Sequence, residues 1–387
     1  MAPNPYLKQY LMTAGPTPVP PAVSQAMATP MLYHRAPAFV ELYERVLAKL
    51  PKVFQTGNDV LTFAASGSGA MDSAAANLIR PGTKVLACAA GKFGERWVEL
   101  AQAYGADLVT YEPGWGERLD PAEIDRLADG VEVVFATLSE TSTGVVNDIQ
   151  AIAEVVNRRG ALLAVDAVSG LGAAELKQDE WGVDVVVAGS QKALMIPPGL
   201  AFASVSQKAL DFVEQRPGGR YYFDWVKTAK SQRKGNSPFT PAVGLFMGLD
   251  VALDLIEEEG LENVFARHDL LARATRAGAA ALGLELFGNP DERSTVVTAI
   301  ELPSDVDGGK VPGALRKLGI TANGGQDHLK GRILRIAHCG YFGAFDILTS
   351  LSGLEMALAQ LGHDVEHGAG VGAAQKVFLE AGVPAAA

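Results

Sequence analysis

Between about Leu61 and Val205 the chain repeats one arrangement: a short apolar run, a turn of small residues, then a stretch with helical spacing. The apolar runs span Asp59–Ala64, Lys84–Ala89, Asp107–Tyr111, Val131–Leu138, Ala161–Val165, Val183–Ala188 and Leu200–Val205. Helical periodicity fills several of the gaps, at Ala70–Ile79, Glu95–Tyr104 and Pro121–Leu127. Strands alternating with helices predict βαβ units and a mostly parallel sheet, an α/β class. Beyond Phe239 the pattern changes. Val243–Glu259 and Leu261–Leu282 read as long helices, followed by strands at Val296–Leu302 and Arg332–Ala337 and a helix at Phe345–Leu361. This predicts a smaller α+β domain joined through the helical segment. The expected division is an N-terminal segment over 1–20, a large domain over 21–258, a small domain over 259–362 and a tail over 363–387. A short helix is expected in the tail at Ala373–Ala381.

A length of 387 residues suits two domains, and 48% hydrophobic residues supply ample core. The net charge of −11, with no long basic run, argues against nucleic acid or an anionic membrane as partner. The most apolar stretch, Val183–Val205, is interrupted by Gln191, Lys192 and Pro197-Pro198, so a membrane helix is a poor reading. The N-terminus lacks the pattern of a secretory signal. Only two cysteines occur, Cys88 and Cys339, which points to a reducing, cytoplasmic setting without a disulfide framework. No metal site is expected.

Three constellations carry chemistry. Ser66-Gly67-Ser68-Gly69-Ala70 follows one apolar run and opens a helix, where backbone N–H groups and the helix dipole favour an anion. The same residues also read as a tight turn with an N-cap serine. Asp166 ends the run from Ala161, where open α/β sheets bind ligands at the C-terminal edges of their strands. A carboxylate there needs a cation or donors, unless it is simply a helix cap. Lys192, in Gly189-Ser-Gln-Lys-Ala193, follows the next apolar run. An amine among apolar neighbours can lose its proton and attack carbonyls, the alternative being a snorkelling surface lysine. Anion cradle, carboxylate and amine, in that order, are the parts that pyridoxal 5′-phosphate requires.

With Ser139-Glu-Thr-Ser-Thr-Gly144, Gly189-Ser-Gln-Lys-Ala-Leu-Met-Ile-Pro-Pro-Gly199, Thr13-Ala-Gly-Pro-Thr-Pro18 and Gly331-Arg-Ile-Leu-Arg-Ile336, the chain resembles the class V aminotransferases. Within them it is similar to the alanine–glyoxylate and serine–glyoxylate (serine–pyruvate) family over residues 10 to 362. The resemblance implies fold type I of the pyridoxal-phosphate transferases, aspartate-aminotransferase-like, with a seven-stranded mostly parallel sheet and a smaller C-terminal domain. It implies Lys192 as the Schiff-base lysine, Asp166 as partner of the ring nitrogen, and Val168 and Phe93 on the two ring faces. Ser68, Gly69, Ala70 and Gln191 would hold the phosphate, and Ser142 the ring hydroxyl. Thr240 would reach the phosphate of the other subunit, in a homodimer with shared sites. Gly15 and Arg335 would bind substrate, Arg335 gripping the α-carboxylate, and the segment Thr13–Pro18 would close over it.

The implied reaction moves the amino group of alanine or serine to glyoxylate or pyruvate. Phosphoserine and ureidoglycine are alternative donors, and a non-catalytic subunit of another complex is a rival reading. Cysteine desulfuration is disfavoured, because Thr321–Gly331 holds no cysteine. Several family positions differ: Ala70 and Leu138 stand where histidines are common, Ser237 where a tyrosine is, and Phe93 where a tryptophan is. His34 and Arg35 are candidates for reading an acidic side chain.

Overall fold

Seven strands build the central sheet: β1 (Val60–Phe63), β2 (Lys84–Cys88), β3 (Asp107–Tyr111), β4 (Val133–Thr137), β5 (Leu162–Asp166), β6 (Val185–Gly189) and β7 (Ala201–Val205). The computed structural model describes residues 7–289 and 293–382. The spatial order is β1-β7-β6-β5-β4-β2-β3. Strands β2 to β6 run parallel, and β7 is antiparallel to both β6 and β1. Alternate residues of each strand enter different cores, as the two-residue pleat dictates. Val134 and Ala136 of β4 join the core under helices Pro37–Phe54, Ile149–Arg158 and Val243–Glu259. Val133 and Phe135 join the opposite core with helices Gly67–Leu78 and Lys92–Ala103. There Trp97 stacks on Phe135 with centroids 4.4 Å apart, and its indole N–H donates to the Ala136 carbonyl at 3.2 Å.

The small domain has a three-stranded antiparallel sheet of β8 (Val297–Glu301), β9 (Asn323–Gly324) and β10 (Ile333–Ala337), with β10 in the middle. Helices Leu261–Ala281, Ala344–Gln360 and Ala369–Glu380 cover it. The segment expected to form a separate tail belongs to this core: Ala374 and Phe378 are buried in it. Helical spacing of small and apolar residues lets that last helix pack along Leu261–Ala281, where Gly278 and Gly370 permit close approach. From the other end of the chain, Tyr10–Leu11 pairs in parallel with Ile320–Thr321, and Met12 and Ala14 are buried in the same core. The N-terminal segment thus reaches the small domain from residue 10 onward; residues 1–6 lie outside the described part.

Candidate active site

The C-terminal ends of β5 and β6 open onto a cavity of about 320 Å³. Parallel strands flanked by helices leave such a crevice at this edge. Its wall includes Gly15, Phe93, Asp166, Val168, Gln191 and Lys192, together with Ser66 to Ser68, Arg96 and Ser169 among others.

Asp166 is the last residue of β5 and 3% exposed. Its Oδ1 accepts the Val168 N–H at 2.8 Å. Burial pushes its carboxyl up to about 6, against the pull of that hydrogen bond. Lys192 is 7% exposed, and burial holds its amine below the usual lysine range, with Cys339 and Asp166 pulling the other way. Its Nζ donates to the Ala14 carbonyl. Among the described residues no ion pair within 4.0 Å joins Asp166 to Lys192. A buried acid and a buried amine therefore face one cavity without a direct ion pair, each only partly offsetting the burial of the other.

Helix Gly67–Leu78 points its N-terminus into the cavity. Ser66 caps it, accepting the Gly69 N–H at 3.3 Å. The helix begins at Gly67, earlier than expected, so the Ala70 N–H already donates to the Ser66 carbonyl at 3.1 Å. Ala70 is fully buried, and its N–H is already engaged within the helix. Gly69 also lies outside the wall, its N–H taken by Ser66, whereas Ser68 lies in it. A Cβ on Gly67 would stand 2.8 Å from Val168 Cγ1, so glycine is needed for the helix to approach β5. Gln191 adds a buried Oε1 with no hydrogen-bond partner.

Glu140 was not singled out from the sequence. Its fully buried carboxylate accepts Gly94 N–H at 3.0 Å, Phe93 N–H at 3.1 Å and Ser142 N–H at 3.1 Å, and the Ser142 hydroxyl at 2.5 Å. Helix Lys92–Ala103 has Gly91 at its N-cap with no side chain to offer, and Glu140 supplies that cap from elsewhere in the chain. Burial raises its carboxyl, and these donors draw it back. Phe93 is thereby fixed on the cavity wall. Ser142 is consequently turned into this network and is absent from the wall. The hydroxyl of neighbouring Thr141 bonds to that of Ser169, which lines the cavity.

Arg335, in β10, is 6% exposed. Its Nε donates to the Gly324 carbonyl at 3.0 Å and Nη1 to the Thr141 carbonyl at 2.8 Å. Burial depresses its pKa to about 10, and among the described residues no carboxylate pairs with it. Thr240 lies elsewhere, on an apolar hollow with Met31, Tyr33 and His34.

The class V aminotransferase family model matches residues 9–336. The chain is a class V aminotransferase. A relative from Methylorubrum extorquens, named serine–glyoxylate aminotransferase, is 38% identical over 96% of each chain. A Synechococcus sp. protein named soluble hydrogenase, small subunit, is 43% identical over 97% of this chain and 99% of its own length. Among solved structures, a ureidoglycine–glyoxylate aminotransferase from Bacillus subtilis superposes with a TM-score of 0.91 at 32% identity, covering 98% of this chain and 99% of that one. The fold is accordingly the aminotransferase-like α/β fold.

Proposed function

We propose that the protein uses pyridoxal 5′-phosphate to move the amino group of a small amino acid, alanine or serine, to glyoxylate or pyruvate. One observation carries this: Asp166 and Lys192, both buried and unpaired with each other, face one cavity that also holds a helix N-terminus. Those residues fit the cofactor. Asp166 answers a protonated ring nitrogen, and Lys192 its aldehyde. Ser68, through its hydroxyl, and Gln191, through its side-chain amide N–H, serve the phosphate end. Phe93 and Val168 would flank the ring, and Ser169, a hydroxyl of the cavity wall, is placed to meet the ring hydroxyl more readily than Ser142, which Glu140 holds.

When bound, the cofactor supplies an electron-withdrawing ring that acidifies the substrate Cα–H. The chain does the rest. Lys192, held low by burial, takes the Cα proton and returns it on the other side of the transfer. Arg335, a buried guanidinium without a carboxylate, grips the substrate α-carboxylate and aligns the bond to be broken. Gly15 lies against Lys192, where any Cβ would strike the amine, and leaves room for substrate. The exposed apolar surface around Met31 and Tyr33 suits a second copy of the chain, which would bring Thr240 to the partner's phosphate site in a homodimer. Both cysteines are free and buried, which supports a cytoplasmic location.

The name of the Synechococcus relative favours a second reading, a subunit of another assembly. Absorption spectra of the purified protein with added pyridoxal phosphate separate the two. A cofactor band that changes with alanine or serine and recovers with glyoxylate supports the proposal. Response to phosphoserine or ureidoglycine alone would replace the donor. A spectrum indifferent to every amino acid would leave the subunit reading in its place.

A further inference from the structure

We propose that Asn323 is a positioning residue for the Lys192 amine, acting through the main chain of Ala14; this rests on the aminotransferase reading above. Asn323 lies in the two-residue strand β9, directly opposite Arg335 in the ladder. Its Oδ1 accepts the Ala14 N–H at 3.1 Å, and the Ala14 carbonyl accepts Lys192 Nζ. Ala14 is 3% exposed and packed in the small-domain core. The other member of β9, Gly324, gives its carbonyl to Arg335 Nε at 3.0 Å. One short strand therefore touches both the carboxylate-binding guanidinium and the residue that holds the reactive amine.

The N-terminal strap is secured on its far side as well. Thr17 N–H donates to the Gln191 carbonyl at 3.0 Å, and its hydroxyl to the Lys192 carbonyl at 2.9 Å. Between them Gly15, at φ +144°, passes against the lysine side chain. The Lys192 main chain is thus fixed by Thr17 and its amine by Ala14, while Ala14 is fixed by Asn323.

Between taking the Cα proton and returning it, Lys192 holds that proton on a side chain attached to nothing at its far end. A buried amine with four methylenes has many rotamers to lose, so a preset acceptor keeps it within reach of the same proton. The Ala14 carbonyl is that acceptor.

The test compares Asn323→Ala with Asn323→Asp, which keeps an oxygen for the Ala14 N–H. In Asn323→Ala, kcat with alanine is expected to fall roughly ten- to a hundredfold while KM and the cofactor Kd hold. Asn323→Asp keeps most of kcat but raises KM, because its charge competes with substrate for Arg335. A second readout needs no cofactor: acetic anhydride should acetylate Lys192 several-fold faster in cofactor-free Asn323→Ala than in wild type, measured by peptide mass spectrometry. Unchanged labelling overturns the proposal whatever the kinetics. Loss of cofactor affinity together with kcat in both variants also overturns it, marking Asn323 as a general tie between chain segments. An inactive wild type would refute the aminotransferase reading alone, and the labelling would still decide the role of Asn323.

Discussion

Asp166 shows what a buried carboxyl without a counter-ion costs the fold. Without cofactor, the folded chain retains a proton on this carboxyl that the unfolded chain releases between 3.8 and about 6. The folded state then binds more protons than the unfolded one, so stability falls as pH rises through that window. Above it the penalty is complete, at about 3 kcal/mol. Asn at this position keeps an acceptor for Val168 N–H and carries no charge. Denaturant unfolding of the cofactor-free Asp166→Asn variant is expected to show a gain of about 1–3 kcal/mol at pH 8 that disappears below pH 4. An equal stability at pH 8 would mean that the buried carboxylate is answered by groups other than those described. The same variant should bind cofactor weakly, because the ring nitrogen loses its anion.

Among elements, helix Lys92–Ala103 is the one whose placement depends on a distant residue. Glu140 takes three backbone N–H groups and a hydroxyl, and Gly91 leaves the space: a Cβ there would stand 2.6 Å from the Glu140 carboxyl carbon. Glu140→Ala would strand those donors in a dry pocket, at a cost of about 3–5 kcal/mol. Thermal unfolding should show the loss, and cofactor titration should show weaker binding as Phe93 leaves the wall. Retained stability would place the donors in contact with water.

The strands were legible because apolar runs and small-residue turns mark them, and Asp107–Tyr111 is found as expected. Helix Pro37–Phe54 was not anticipated, although Phe39, Leu42, Tyr43, Val46, Leu50 and Val53 recur at helical spacing. Pro51 reads as a breaker there but falls in the last turns of the helix. Lys192 and Asp166 were readable because each follows a strand in a fixed order. Side-chain direction was not readable. That the Ser142 hydroxyl turns to Glu140 and not to the cavity depends on the turn that Glu140 pins. Which N–H groups of the phosphate turn stay free depends on the helix starting at Gly67 and not at Ala70.

At the scale of the molecule, a strap from the N-terminus ties the small-domain core to the large sheet with its two flanking cores, and the cavity lies where strap and large sheet meet. The reading of the small domain as 259–362 left the expected short helix at Ala373–Ala381 in a tail rich in Gly and Ala; the helix runs over Ala369–Glu380 and packs in that domain's core. Phe378 buries it there. The exposed side chains Met31 and Tyr33, at 73% and 63%, mark the surface assigned to a second copy. Tyr33→Glu should shift sedimentation from dimer to monomer and weaken cofactor binding at the same time, since Thr240 would no longer reach the partner. A monomeric wild type with full cofactor affinity would contradict the shared site.

The central claim is that Lys192 is the residue that carries the cofactor. Borohydride reduction of the protein loaded with pyridoxal phosphate, followed by peptide mapping, tests it most directly. The account predicts one labelled peptide, modified at Lys192, and no specific label or transamination in Lys192→Ala. Label on a different lysine, or transamination that survives in Lys192→Ala, would contradict it.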